Sequence, residues 1–145
     1  MTSRSRIAAF GAALAVAVLF PAAAQADDVR DRADALMNMH AGDFVGAPHD
    51  APFEWSNDGC SGPTEQIFHN ACVQHDFGYR NYGAHYALKL SVTRETKDWI
   101  DARFHEEMDR ACIDTYPAGE AVASCMDNAT LAWTAVHLYG DQYFF

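Results

Sequence analysis

Four cysteines, Cys60, Cys72, Cys112 and Cys125, constrain this 145-residue chain more than any other feature. What they do depends on the compartment, and the start of the chain gives an expectation for that. Arg4 and Arg6 precede an uncharged apolar run over 7–20, Pro21 breaks it, and Ala24, Gln25 and Ala26 form a small-x-small cleavage site. That is the pattern of a secretory signal peptide, expected to cover 1–26. Fourteen apolar residues are too few to span about 30 Å of hydrocarbon, and no later stretch approaches 18. In an exported chain of this size an even cysteine count implies two disulfides. Three connectivities are possible. Pairing neighbours would close loops of 12 and 13 residues, each staple worth about 3 kcal/mol in the chain-entropy model. A zinc site would need a CxxC or HxxxH pair, and the chain has neither.

Residues 27–145 are enough for one domain and too few for two. Removing the leader takes away two arginines and no acid, so the formal charge moves from −10 to −12. That balance argues against a nucleic-acid partner, whose phosphates call for a basic face. It also disfavours electrostatic docking on an anionic membrane. Most of the acids read as a solvated surface that keeps an exported protein in solution.

The apolar period is helical nearly throughout. A short first helix is expected over 28–40, with Val29, Ala33, Leu36, Met37 and His40 on one face. The glycines and prolines of 41–63 mark a long loop, and such loops are usually functional. A second helix is expected from Thr64, an N-cap residue after Gly62 and Pro63, to about Gly83, with the stripe Phe68, Ala71, Cys72, His75, Tyr79. A third runs over 93–112 with the stripe Lys97, Asp101, Phe104, Met108, Ala111. A fourth carries Val122, Cys125, Met126, Ala129, Ala132, Trp133, Val136 and Tyr139. No alternating run supports a strong strand. The expected fold is all-α, with two long antiparallel helices at its centre and shorter helices around them, stapled by two disulfides.

Two stripes carry a residue that does not belong on a buried face. A carboxylate at Asp101 is costly there unless paired, and His75 on the facing helix is the natural partner. Asp101 would accept from one ring nitrogen, fix the tautomer and leave the other nitrogen basic, which is the equipment for drawing a proton off water. A pair that merely ties two helices together has the same pattern. Asp76 follows His75, so it points about 100° round the helix. Asp58 and Gly59 lie in the preceding loop, where glycine lets the backbone turn. Two carboxylates and a carbonyl suit a hard cation such as Ca²⁺.

The segment Cys72, Val73, Gln74, His75, Asp76, Phe77, Gly78, Tyr79, Arg80, Asn81 resembles the active-site helix of secreted phospholipases A2, in particular the small bacterial and fungal type with two disulfides. Trp55, Ser56, Asn57, Asp58, Gly59, Cys60 resembles the short calcium loop of that branch, and 101–112 resembles its second active-site helix. The likeness spans roughly 55–133. It implies that His75 is the general base, that Asp101 orients it, and that Tyr79 supports the pair. It implies that Asp58, Gly59 and Asp76 hold calcium, and that the disulfides are Cys60–Cys72 and Cys112–Cys125. Residues 27–54 match no motif of the family.

The activity so implied is calcium-dependent hydrolysis of the sn-2 ester of a glycerophospholipid at a membrane or micelle interface, by a secreted protein expected to be a monomer. No Gly-x-Ser-x-Gly elbow is present, so no acyl-enzyme is expected. Phe44, Phe53, Trp55 and the first helix are candidates for the wall of an acyl channel. The tail Tyr143, Phe144, Phe145 either anchors at the interface or folds back on the core. Two rival readings are an inactive phospholipase-like lipid-binding module and a stapled structural protein that uses calcium for stability.

Overall fold

In a computed structural model, residues 22–61 and 66–145 are described. The expected leader lies outside these residues except for 22–26, and so does Thr64, the expected cap of the second helix. Six α-helices follow one another: α1 Ala22–Met37, α2 Ala41–Phe44, α3 His69–Tyr82, α4 Arg94–Thr115, α5 Glu120–Tyr139 and α6 Asp141–Phe144, with a 3-10 turn Gln66–Phe68 leading into α3. Among the described residues there is no strand, and no helix is long and apolar enough to cross a membrane. The all-α expectation holds.

α3 and α4 form the centre. His75 packs tilted against Phe104 with ring centroids 4.7 Å apart, and Tyr82 lies edge-on to Trp99 at 5.7 Å. Positions advance along one helix as they retreat along the other, so the two are antiparallel. Thr93 caps α4, its side chain accepting from the Thr96 amide at 3.2 Å, and Glu95 complements the first turn. The disulfides join neighbours in sequence: Cys60–Cys72 ties the long loop to α3, and Cys112–Cys125 ties α4 to α5.

Gly78 sets how closely the central helices approach. A Cβ there would lie 2.7 Å from Ile100 Cγ2 and 3.1 Å from Met37 Cε. Ile100 is fully buried and β-branched, so its methyl has little freedom to yield. Gly78→Ala therefore pits an overpacking cost of about 1–3 kcal/mol against a helix-propensity gain of at most about 1 kcal/mol. A lower melting temperature is expected on thermal denaturation, and an unchanged or higher one would show that the helices part without cost.

The helix boundaries differ from expectation where partners distant in sequence decide them. α1 begins earlier than residue 28 because the alanines at its start are strong helix formers. It ends at Met37 because its last carbonyls are taken from outside. Gln74 Nε2 donates to the carbonyls of Leu36 and Met39 at 3.1 and 3.0 Å, and Arg103 donates to those of Met37 and Met39 at 3.2 and 3.0 Å. His40, expected on the buried face of the first helix, is exposed and stands at the N-cap of α2 instead. That short helix occupies the start of the segment expected as loop. Its Ala41 amide donates to buried Glu107 at 2.8 Å. On α5, Tyr139 closes the expected buried stripe but is 71 % exposed, because the helix ends at the rim of a cavity rather than over the core.

Candidate active site

The stripe that His75 interrupts is buried, as its spacing predicts: Phe68, Ala71, Cys72, His75 and Tyr79 all lie inside. Asp101 is fully buried on the opposite helix. His75 Nε2 lies 2.9 Å from Asp101 Oδ1, and the Tyr79 hydroxyl donates to the same oxygen at 2.8 Å. Lys97 Nζ donates to Asp101 Oδ2 at 2.7 Å. Burial by itself would raise the Asp101 carboxyl. The hydrogen bond and charge of His75, with the bonds from Lys97 and Tyr79, outweigh it and hold the group below the usual carboxylate range. An ionised Asp101 is an acceptor only. His75 Nε2 therefore carries the proton, and the lone pair stays on Nδ1, for which no described residue offers a partner. Burial, and then the Asp101 charge, push the Tyr79 hydroxyl far up, so it remains a donor.

His75 lines a cavity of about 1180 Å³. One side is α5, through Leu131, Ala132, Ala135, Val136 and Tyr139, and the floor includes Phe68 and Phe104. Tyr86 and Tyr143 stand at its edge. The expected wall was different. Phe44, Phe53 and Trp55 do not border this cavity. They gather with Phe77 on the other face of α3, where Phe44, Phe53 and Trp55 lie 5.2, 5.5 and 4.8 Å from the Phe77 ring. The loop crosses the helix on the side opposite His75, which spacing along the chain does not disclose. The tail divides: Phe144 is fully buried, while Tyr143 and Phe145 are exposed.

The second group of expected residues meets at the same cavity. Asp58, Gly59 and Asp76 all line it, and the Asp58 amide donates to Asp76 Oδ2 at 2.9 Å. Gly59 adopts φ +67°, the left-handed region that favours glycine. Burial pushes the Asp76 carboxyl up, and the Asp58 charge adds to it against the pull of the Asp58 amide and Arg80. The Ser61 hydroxyl bond leads in holding Asp58 down. Arg80 bonds directly to Asp58 and lies 3.7 Å from Asp76 Oδ2. Two carboxylates beside a backbone turn made by glycine are the ligand types that suit a hard divalent cation, and the Arg80 guanidinium stands between them as its counter-charge.

One other trio of ligand-type side chains comes close together among the described residues: Asp98, Asp101 and His137. There Asp101 already serves Lys97, His75 and Tyr79. Two residues of the site escape the sequence reading. Lys97 passes as part of an apolar stripe, although its position four residues before Asp101 is the spacing of a helical ion pair. Arg80 passes as motif, although the same spacing joins it to Asp76.

The model of the prokaryotic phospholipase A2 family matches residues 36–140. The chain belongs to this family. A relative described as a secretory phospholipase A2, from Beauveria bassiana (strain ARSEF 2860), is 32 % identical over 91 residues. The match covers 60 % of this chain and 44 % of that protein, so the chain spans less than half of the relative's length. The family match takes in all four cysteines, the His75–Asp101 pair and the 58–59 turn.

Proposed function

We propose that this chain is a secreted, calcium-dependent phospholipase A2 that hydrolyses the sn-2 ester of glycerophospholipids. The observation that carries the reading is the buried pair His75 Nε2–Asp101, 2.9 Å apart, at the floor of a largely apolar cavity. Membership of the family supports the activity, and the disulfides support an extracellular home. The residues 1–26 would then be the leader.

Water bound beside His75 gives a proton to Nδ1 as its oxygen adds to the ester carbonyl. Asp101 fixes the ring so that Nδ1 faces the substrate, and it stabilises the imidazolium that forms. When the tetrahedral species collapses, the glycerol oxygen leaves and takes the proton back from Nδ1. The products are a fatty acid and a lysophospholipid, and no side chain is acylated. Asp58, Asp76 and the Gly59 backbone would hold the calcium. When bound, it supplies polarisation of the carbonyl and charge stabilisation for the developing oxyanion. The small and aliphatic side chains of α5 accommodate the acyl chain. Exposed Leu131, Tyr139 and Tyr143 around the mouth suit peripheral contact with a lipid surface, where aromatic rings sit at headgroup level. One copy of the chain supplies every group named, consistent with a monomer.

The test is the leader-free protein with phospholipid labelled at sn-2, assayed with calcium and then with a chelator. Labelled fatty acid is expected with calcium and none with chelator. Calcium-dependent thermal stabilisation without release would favour a structural protein. A covalent acyl group trapped on any serine would overturn the mechanism.

A further inference from the structure

Lys97 is the one lysine among the described residues with no exposed surface. Its three N–H donors have three acceptors. Asp101 Oδ2 is at 2.7 Å, the Val136 carbonyl at 3.1 Å and the His137 carbonyl at 3.2 Å. Asp141 Oδ1 stands further off at 3.7 Å. The two carbonyls belong to the last turn of α5, the negative end of a helix dipole. Gly140 closes the slot. A Cβ there would lie 2.5 Å from the Tyr79 hydroxyl and 3.3 Å from Lys97 Cε, so α5 comes this near only because the residue is glycine.

A buried ion pair is poor value as a staple, because packed apolar groups of similar volume often hold helices as well or better. What the ammonium does that a methyl cannot is grip one particular oxygen. Asp101 has two. Oδ1 receives both His75 Nε2 and the Tyr79 hydroxyl, Oδ2 receives a hydrogen bond from Lys97, and His137 Nδ1 stands 3.8 Å from Oδ2, beyond hydrogen-bond distance. Without Lys97 the carboxylate is free to rotate and share both oxygens among the remaining donors, and the aim of the imidazole loosens with it. The same grip joins the dyad to α5, whose side chains wall the cavity.

We propose that Lys97 is a positioning residue for the His75–Asp101 pair. It acts through Asp101 Oδ2 and fastens the cavity wall to the dyad. The inference rests on the phospholipase reading for its kinetic arm and on geometry alone for its spectroscopic arm.

The experiment compares the leader-free protein with Lys97→Met and Lys97→Gln, each alone and with Asp101→Asn. The substrate is a short-chain phosphatidylcholine below its micelle concentration, with saturating calcium. Lys97→Met is expected to lower kcat by about tenfold or more, as loss of the outer hydrogen-bond partner of a metal-bound histidine does, while KM moves less than about threefold. Lys97→Gln keeps donors in the slot and should lose less. In the Asp101→Asn background Lys97→Met should cost almost nothing further, since the two residues act as one unit. The downfield proton signal of His75 Nε2–H should be sharp in the parent and shifted or broadened in Lys97→Met. A full, additive loss in the Asp101→Asn background overturns the proposal, as does an unmoved His75 signal or an unchanged kcat. If Lys97→Met does not fold, Lys97→Gln carries the same comparisons. Failure of both to fold assigns Lys97 to the fold and overturns the proposal. A parent that releases no fatty acid defeats the phospholipase reading, and the His75 signal then still decides the role of Lys97.

Discussion

His75→Asn is expected to abolish turnover while calcium binding survives. A positioned general base contributes on the order of 10²–10⁴ in rate, and no other basic side chain touches Asp101 from the position of His75. The asparagine amide is too short to reach Asp101 Oδ1, so a buried acceptor loses a donor, at about 1–3 kcal/mol. His75→Gln separates the two effects. Its amide can stand where Nε2 stands, 2.9 Å from Oδ1 in the parent, and satisfy the carboxylate without supplying a base. The glutamine variant is expected to melt above the asparagine variant and to be equally inactive. Fatty-acid release, thermal denaturation and calorimetric calcium titration read the three quantities. Turnover retained in either variant would take the proton-abstracting role away from His75.

Asp76→Asn is the other substitution of large effect, and it is expected to weaken calcium binding and turnover together, by roughly tenfold or more, because calcium affinity follows the charge of its ligands. The metal-free protein should not suffer. Burial and the Asp58 charge raise the Asp76 carboxyl, so the ionised form is disfavoured in the fold. Its protonation favours the folded chain in acid, and that advantage is lost as pH rises through the raised value. At neutral pH the asparagine removes a disfavoured charge, and its carbonyl can still accept from the Asp58 amide. The melting temperature without calcium should therefore stay level or rise. The same raised value means that protons compete with calcium from a higher pH than at an ordinary aspartate. Parent affinity should fall as the pH is lowered, and that part of the pH dependence should vanish in the variant. Calorimetry at several pH values tests this, and a variant that binds calcium as the parent does would remove Asp76 from the cradle.

The dyad is legible in the sequence because helical spacing places His75 and Asp101 on faces otherwise made of Phe68, Tyr79, Phe104 and Met108, where a polar residue has to be explained. Asp58, Gly59 and Asp76 are legible through the motif, and the structure gathers them at the same cavity. Lys97 is not, because a long aliphatic stem fits an apolar stripe as well as leucine does. The wall of the cavity is misread for a different reason. Phe53 and Trp55 sit in a loop and Phe44 ends the four-residue α2, and nothing local decides which side of α3 that segment crosses. Four-residue helices such as α2 and α6 carry too little period to be seen at all. Their places are set by distant contacts such as the Glu107 bond to Ala41 and the Phe144 carbonyl accepting from Ala84 at 2.7 Å.

α5 is held at its two ends, by Cys112–Cys125 and by the Lys97 bonds to Val136 and His137, and along its length only Cys125 and Ala129 are buried. Ala132 lines the cavity and also packs on the core beside Phe104 and Met108, whereas Ala135 lines it from an exposed position that the core does not use. On the phospholipase reading, Ala135 is therefore the place where a change of size would trade preference for one fatty acid against another and leave the His75–Asp101 pair as it is.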